Sequence, residues 1–426
     1  MDKTTALALD QQARDILRMN DRGRYTVPTD GLYPYQWNWD SAFAALGLAA
    51  LSLPRAWLEL ETLMAGQWDN GMVPHIQFHQ PNPGYFHGPE IWGCEGHGPV
   101  ASSGISQPPV AASVALWLYR MDPQLGREHL RALMPRFARW HRWFMRWRNE
   151  DGAICVTHPW ESGRDNAPDW DGPMAAITPT GVGSYQRRDT AHVDPHMRPT
   201  KYDYDRYIWL VQLGRRLNWD EGALARENPF RVADPTMTFI LLRACRDLGE
   251  MVDELGEVEG VARGEIDDWV AQLSAGAQSL WNPDIAAFDA RDIRSGQFAG
   301  SISNASFLCW YGGLDSAEMR AHLERLFARL RYGVPSSDPD SATFDPARYW
   351  RGPVWAMMNT LIGIGLGEMG HGVLASQVRT SSQALIEAGG FGEYFNPENG
   401  APAGGGVFTW TAAVWLGWIS PNAEDL

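Results

Sequence analysis

Apolar residues recur at spacings of three and four along most of the chain, which is the period of an amphipathic helix. The pattern predicts roughly a dozen helices, at 4–19, 39–52, 55–68, 109–120, 126–149, 203–217, 235–254, 261–281, 303–312, 316–330, 352–369, 373–389 and 407–419. Asp234-Pro235 and Ser316 with Glu318 are typical helix starts. Strand patterns are scarce, and the stretch 153–156 is expected to form a small hairpin.

Turn-forming residues collect in three long segments, 69–108, 157–202 and 331–351, and in a shorter one, 390–406. Long segments without regular structure are uncommon in compact domains and are usually functional. No linker rich in Pro, Gly or Ser divides the chain. We therefore expect a single all-α domain over 1–426, arranged as an (α/α)6 toroid. Its pocket is built by loops, with the main loop insertions at 69–108 and 157–202.

Composition and charge exclude several classes of protein. A hydrophobic content of 44% supplies a large core, which excludes a disordered chain. A net charge of −15 without a cluster of cations argues against nucleic-acid binding. The Arg-rich stretch 136–148 has helical spacing and predicts an amphipathic helix rather than a basic patch. The chain shows neither a membrane-spanning apolar stretch nor a signal peptide, which indicates a cytoplasmic protein.

Cysteines and histidines show no metal-binding pattern. Cys94, Cys155, Cys245 and Cys309 are scattered, which favours reduced thiols over a disulfide framework. Zinc sites typically pair histidines on one helix, and the histidines at 75, 79, 87 and 97 do not have that arrangement. We expect them to form hydrogen bonds within a loop, and we predict neither a metal nor another cofactor.

Aromatic and polar side chains alternate from Tyr33 to Phe43, in the stretch YPYQWNWDSAF. Such a stretch is able to stack on one face of a sugar ring while Asp40 binds two hydroxyls. A structural alternative is that Asp40 or Ser41 caps the helix that follows. Both interpretations stay open.

The stretch WESGRDNAPDWD, residues 160–171, carries four carboxylates framed by tryptophans. A carboxyl among aromatic rings loses hydration, which favours its neutral form and raises its pKa. That property suits a general acid that protonates a departing glycosidic oxygen. Asp165 is therefore the candidate acid, whereas Asp169 and Asp171 are expected to form an exposed acidic turn.

Two further stretches carry candidate residues. Glu393 follows a run of glycines, which lets backbone approach a ligand closely, and a carboxylate there is suited to activate water. In the stretch RYWRGPVW, residues 348–355, Trp350 and Trp355 are predicted to flank a sugar. Arg351 either holds a carboxylate or pairs with a core aspartate.

Six stretches in order resemble the inverting (α/α)6 glycosidases of glycoside hydrolase family 63 (GH63) and their trehalase relatives: YPYQWNWDSAF, QWDNGMVPH, SQPPV, ESGRDNAPDWD, RYWRGPVW and GEYFNP. They run from residue 33 to 397, and the compact length is similar to that of the bacterial mannosylglycerate and glucosylglycerate hydrolases. The resemblance implies that Asp165 is the general acid and Glu393 the general base. It also implies a sugar subsite formed by Tyr33, Trp37, Trp39, Asp40, Gln107 and Trp355, with Trp350 beside it and with His75 and Tyr85 on loops that close over the substrate.

In the glycerate-specific members of that family, an Arg and a Tyr that follow the acid loop hold the substrate carboxylate. Arg198 with Tyr204 is the preferred pair here, although Lys201 with Tyr207 has the same spacing. We therefore expect an inverting α-glycosidase that releases glucose or mannose from a small glycerate glycoside. The alternatives are a trehalase-like α-glucosidase and a sugar epimerase that uses histidines.

Overall fold

The computed structural model describes residues 1–82, 84–187 and 194–423, and most of this part is helical. Its helices follow the predicted segments closely. They are α1 Lys3–Asn20, α2 Asn38–Ala49, α3 Leu53–Ala65, α4 Pro89–Trp92, α5 Ala111–Met121, α6 Pro123–Trp147, α7 Asp171–Ala175, α8 Lys201–Arg216, α9 Glu221–Glu227, α10 Pro235–Leu255, α11 Arg263–Gln278, α12 Ala317–Arg329, α13 Ala356–Glu368, α14 Gly372–Gly389 and α15 Thr409–Val414, which continues into a π-helix at Trp415–Ile419.

Helix starts obey the expected capping chemistry. The Asp234 side chain accepts hydrogen bonds from the first free amides of α10, and Ser316 does the same at α12. Such caps satisfy backbone donors that have no partner within the helix. Helix α6 contains the Arg-rich stretch except for Arg148, and it buries its apolar face while Arg136, Arg139, Arg142 and Arg146 lie on the other, so the predicted amphipathic helix is confirmed. Arg148 follows the helix, is 1% exposed and pairs with Glu161 and Glu221.

Short strands join the loops into small antiparallel sheets. They are β1 Gln36–Trp37, β2 Ile76–Gln77, β3 Asn149–Glu150, β4 Ala153–Val156, β5 Val232–Ala233, β6 Trp281–Asn282, β7 Ala287–Phe288, β8 Arg291–Asp292, β9 Tyr394–Phe395 and β10 Pro402–Ala403. Strands β3 and β4 form the predicted hairpin, and β5 and β8 extend it to four strands. The β1–β2 and β9–β10 pairs hold two of the loops that surround the cavity described below.

Neighbouring helices pack in a series that returns to its start. Helix α2 packs on α5, α5 on α10, and α10 on the 3-10 turn Ser306–Cys309. That turn contacts α13, α13 contacts α15, and α15 packs back on α2. Helices α3, α6, α11, α12, α14 and α1 each pack on a member of this series. The core lies between these two sets of helices.

Large aromatic side chains fill much of this core. The most completely buried tryptophans are Trp39, Trp57, Trp68, Trp92, Trp140, Trp143, Trp170, Trp310, Trp350, Trp355 and Trp415. All four cysteines are buried and carry free thiols. In the described part of the chain, none of the helices combines the length and the apolar character needed to cross a bilayer.

The prediction of a helix at 303–312 is wrong, because only the 3-10 turn Ser306–Cys309 forms there. Every residue from 303 to 312 is buried. The apolar spacing of that stretch therefore reflects burial from all sides rather than a regular helix. The short helices α4, α7 and α9 were not predicted, since four to seven residues carry too little periodicity to be recognised.

Candidate active site

A cavity of about 100 Å³ opens among the long loops, and its wall comes from segments that are distant in the chain. Most of the candidate residues from the sequence line it. They are Tyr33, Trp37, Trp39, Asp40, His75, Tyr85, Gln107, Asp165, Arg198, Tyr204 and Glu393. Carboxylates, one arginine and aromatic rings thus face a single space.

The loop that carries Asp165 is held on both sides. Arg164, completely buried, forms ion pairs with Asp169 and Asp234 at 3.2 and 3.0 Å. The hydroxyl of Tyr207 donates a hydrogen bond to the backbone carbonyl of Asp165 at 2.8 Å. These contacts fix the backbone, so that the half-buried Asp165 side chain is directed at the cavity.

The prediction that Asp169 and Asp171 lie in an exposed turn is wrong for Asp169 and confirmed for Asp171. Asp169 is only 1% exposed, because the buried Arg164 guanidinium requires a countercharge and draws this carboxylate inward. Asp171 lies at the surface and forms a bidentate ion pair with Arg351, at 2.9 and 2.7 Å. Arg351 therefore pairs with a surface aspartate and holds the end of the acid loop.

Glu393 is a buried carboxylate immediately before β9, and it is surrounded by donors. Its Oε2 accepts from Arg198 Nη2 at 2.6 Å and from the Gly405 amide at 3.2 Å. Its Oε1 accepts from the hydroxyls of Tyr33 at 3.4 Å and Tyr349 at 3.5 Å. The carboxylate is thus held in one orientation at the edge of the cavity.

Asp40 lies in the first turn of α2 and is 5% exposed. The residue at the helix start is Trp37, and no side chain caps the helix, so the capping interpretation of Asp40 is wrong. The Ser41 hydroxyl donates to Glu59 instead. Burial, reinforced by the nearby Glu393 carboxylate, holds the pKa of Asp40 well above its ordinary value.

Aromatic rings form part of the cavity wall. Trp37 meets Tyr33 and Tyr85 edge-on, at centroid distances of 5.4 and 6.0 Å. Trp39 is fixed from behind, because its amide donates to Gln107 Oε1 at 3.3 Å and its ring packs against the backbone of Gly163. A side chain at Gly163 would collide with that ring, and its φ of +72° also requires glycine.

His75 contributes a neutral ring to the cavity wall. Its Nδ1 lies 2.6 Å from the Ser103 hydroxyl, and burial together with the neighbouring His87 and His158 lowers its pKa well below the ordinary value. His75 and His79 flank strand β2 rather than a helix. Among the described residues, no group of three or more His, Cys, Asp or Glu side chains is arranged to hold a metal ion.

The two pairs proposed for a substrate carboxylate lie in different places. Arg198 and Tyr204 both line the cavity. Lys201 is 74% exposed and pairs with Asp205 at 2.7 Å, which keeps its ammonium group at the surface. The Tyr207 hydroxyl is already used by the Asp165 carbonyl. The structure therefore favours the first pair.

Trp350 and Trp355 are almost completely buried and are not among the residues that line the cavity. Their rings stack on each other, with centroids 3.8 Å apart and an interplanar angle of 6°. Trp355 Nε1 donates to the carbonyl of Tyr349, and the Trp350 amide donates to Asn166. The stacked rings support Tyr349, and the Tyr349 side chain lines the cavity.

Tyr349 was not predicted from the sequence, although it lies in the same RYWRGPVW stretch. Its φ of +47° is unusual for a bulky residue, and this reversed backbone turns the tyrosine to the cavity in place of the tryptophan that follows. His87, Trp160, Phe408 and Trp410 also line the cavity without having been predicted to. In the sequence, the only indication of these four residues is that they are aromatic and lie beside the recognised stretches.

Comparison with known proteins identifies relatives over nearly the whole chain. The family model described as the mannosylglycerate hydrolase MGH1-like glycoside hydrolase domain matches residues 33–411. Mannosylglycerate hydrolase MGH2 from Selaginella moellendorffii is 43% identical over 96% of this chain and 85% of its own length. Glucosylglycerate hydrolase from Mycolicibacterium hassiacum is 36% identical, with coverages of 97% and 98%. The crystal structure of GH63 mannosylglycerate hydrolase from Thermus thermophilus in complex with Tris and D-glycerate superposes with a TM-score of 0.92, at 40% identity, over 96% of this chain and 99% of that chain.

Proposed function

This chain belongs to the mannosylglycerate hydrolase MGH1-like family of glycoside hydrolases, and on that premise we propose that it hydrolyses an α-glycoside of glycerate. Its products are glycerate and either glucose or mannose. The observation that carries the proposal is that Asp165, Glu393 and Arg198 meet in one cavity. Two carboxyl groups are what glycosidic hydrolysis requires, and an arginine is what a carboxylate on the aglycone requires.

The proposed architecture is a single (α/α)6 barrel over the whole chain. The series of inner contacts α2, α5, α10, Ser306–Cys309, α13 and α15 supports it, because it contains six members and returns to its start. Six outer helices pack on that series. The family match from 33 to 411 likewise spans the whole series.

In the proposed mechanism, Asp165 protonates the glycosidic oxygen as the bond from that oxygen to the anomeric carbon breaks. Water attacks the anomeric carbon from the opposite face and gives its proton to Glu393. The sugar therefore leaves as the β-anomer. An inverting reaction needs the two carboxyl groups roughly 6.5–9.5 Å apart, so that the water fits between base and sugar.

The remaining residues of the cavity divide between sugar and aglycone. We assign the sugar subsite to Tyr33, Trp37, Trp39, Asp40, His75 and Gln107, since aromatic rings stack on sugar faces and a carboxyl group binds paired hydroxyls. We assign the glycerate carboxylate to Arg198 and Tyr204, which line the cavity together with Tyr85. Trp350 and Trp355 support this site from behind.

The protein as a whole carries a net charge of −15, which repels an anionic substrate. A cation inside the cavity is therefore needed to bind the substrate carboxylate. Salt screens charges beyond about 8–10 Å, so the charged groups inside the cavity, Arg198 among them, decide the field that a substrate carboxylate meets more than the net charge of the whole protein does.

The test is hydrolysis of mannosylglycerate, glucosylglycerate and trehalose, with the anomer of the released sugar followed by NMR. Release of β-mannose or β-glucose from a glycerate glycoside is the expected result. Hydrolysis of trehalose alone would refute the glycerate substrate and leave the acid and base in place. Release of the α-anomer would refute inversion.

A further inference from the structure

Arg198 forms a buried ion pair with Glu393, the proposed general base. Both side chains are 1% exposed, and the guanidinium reaches both oxygens, with Nη2 2.6 Å from Oε2 and Nη1 3.4 Å from Oε1. Together with Gly405, Tyr33 and Tyr349, these contacts bring five donors to the two oxygens. A carboxylate has about four lone-pair positions, so little capacity remains for a water molecule.

A base held in this way is poorly suited to its reaction. It has to accept the proton of the attacking water from within roughly 2.6–3.2 Å. The shortest contact of Glu393, a charge-assisted bond from Arg198, occupies Oε2 and is the strong type of hydrogen bond. Burial alone would lower the pKa of Arg198, but the Glu393 carboxylate outweighs it and holds that pKa well above its ordinary value.

Arg198 also lines the cavity, and it keeps unused donor capacity. Its Nε is buried and meets no hydrogen-bond acceptor among the described residues. The guanidinium lies over the Tyr349 ring, 4.6 Å from its centroid. A cation–π contact has no fixed hydrogen-bond direction, so the planar guanidinium is able to shift across the ring. The same group therefore contacts Glu393 and also faces the cavity.

We propose that Arg198 couples the general base to the aglycone, so that a small carboxylate bound in the cavity draws the guanidinium off Glu393 and frees Oε2 for water. This inference rests on the proposed function and deepens it. It makes Arg198 a specificity-determining residue, because a neutral glycoside binds but leaves the base paired and is hydrolysed slowly. Anionic glycosides carry the group that releases the base.

The test uses an α-mannosyl fluoride, or the α-glucosyl fluoride if glucose is the sugar released. Its leaving group is small, so the aglycone space stays open for added glycolate. In the reaction the C1–F bond breaks and fluoride leaves with the bonding electrons, water forms the new C1–O bond, and one proton of that water passes to Glu393. For the wild type we expect glycolate to raise kcat on the fluoride by about tenfold or more, which is the size of one charge-assisted hydrogen bond. Acetamide, a neutral analogue, is expected to have no effect.

The variant Arg198→Gln separates this role from simple substrate binding. We expect its hydrolysis of the fluoride to show no response to glycolate, and its kcat/KM on the glycerate glycoside to fall at least about tenfold. Arg206→Gln is the matched control, since Arg206 bonds to the Ile177 carbonyl and to Asp203 and lies outside the cavity lining. It should keep the glycolate response.

Fast hydrolysis of the fluoride by the wild type with no response to glycolate would overturn the inference and leave the proposed function standing, provided that the glycerate glycoside is still hydrolysed. A glycolate response that persists in Arg198→Gln would overturn it as well. The wild-type experiment decides the matter even if the variant fails to fold. If neither glycerate glycoside is hydrolysed, the proposed function fails and the inference falls with it.

Discussion

Gly404 is the position at which one methyl group is expected to disable the enzyme. A Cβ built there would lie 2.5 Å from Glu393 Cβ and 2.8 Å from its Cδ, and closer still to Oε2. Rotation of the Glu393 side chain cannot relieve a contact with its own Cβ, so the backbone of one of the two loops has to move. The φ of Gly404 is +76°, where an L side chain is itself strained.

The two effects differ in size and in what they change. The left-handed conformation costs an alanine about 1–2 kcal/mol, which lowers the free energy of unfolding modestly. Displacement of Glu393, the proposed base, by about 1 Å costs on the order of a hundredfold in kcat, because reaction depends steeply on the alignment of base, water and anomeric carbon. Gly404→Ala should therefore lose far more activity than stability.

The assay compares kcat on the glycerate glycoside with urea unfolding, for Gly404→Ala and for Gly406→Ala. Gly406 belongs to the same glycine triplet, but a Cβ there meets nothing within 4 Å, and its φ lies outside the left-handed region. Gly406→Ala should therefore retain activity. Wild-type kcat in Gly404→Ala would refute the placement of the base, and an equal loss in both variants would mean that loop flexibility, rather than contact with Glu393, is what matters.

Three further predictions concern the acid, the buried ion pairs and the response to pH. Asp165→Asn should lower kcat by about 10²–10⁴-fold and leave the Kd for the substrate, measured by calorimetry, nearly unchanged. A normal kcat would show that Asp165 is not the acid. Arg164→Leu should lower the free energy of unfolding by about 3–5 kcal/mol in urea, because Asp169 and Asp234 are left buried without a countercharge, and a loss below about 1 kcal/mol would contradict that reasoning. Burial lowers the pKa of His141 to about 3, so the unfolded chain takes up a proton near pH 6.5 that the folded protein refuses. Its contribution to stability is complete above pH 6.5 and declines between 6.5 and about 3; His141→Gln should flatten the fall of Tm over that range, and an unchanged slope would refute it.

Much of this protein followed from its sequence. Helix α10 illustrates why, since its apolar spacing and the Asp234 cap depend on interactions among residues a few positions apart. The same holds for the hairpin at 153–156, which strand β4 forms with β3. Asp165 and Glu393 were selected as candidates from their aromatic and glycine-rich settings and from the resemblance to GH63, and both line the cavity.

Only the tertiary structure decided which of these groups meet. Arg198 and Glu393 are 195 residues apart in sequence, and no local pattern predicts that their charges pair. Asp169 is buried because it pairs with the buried Arg164. Tyr349, rather than Trp350, lines the cavity because of the positive φ of Tyr349 and the stacking of Trp350 on Trp355. Helical periodicity and capping are short-range effects that a sequence displays directly, whereas ion pairs and ring contacts depend on how the whole chain packs. The sequence therefore determined the elements and the chemical groups, and the packing of those elements determined the partners of each group.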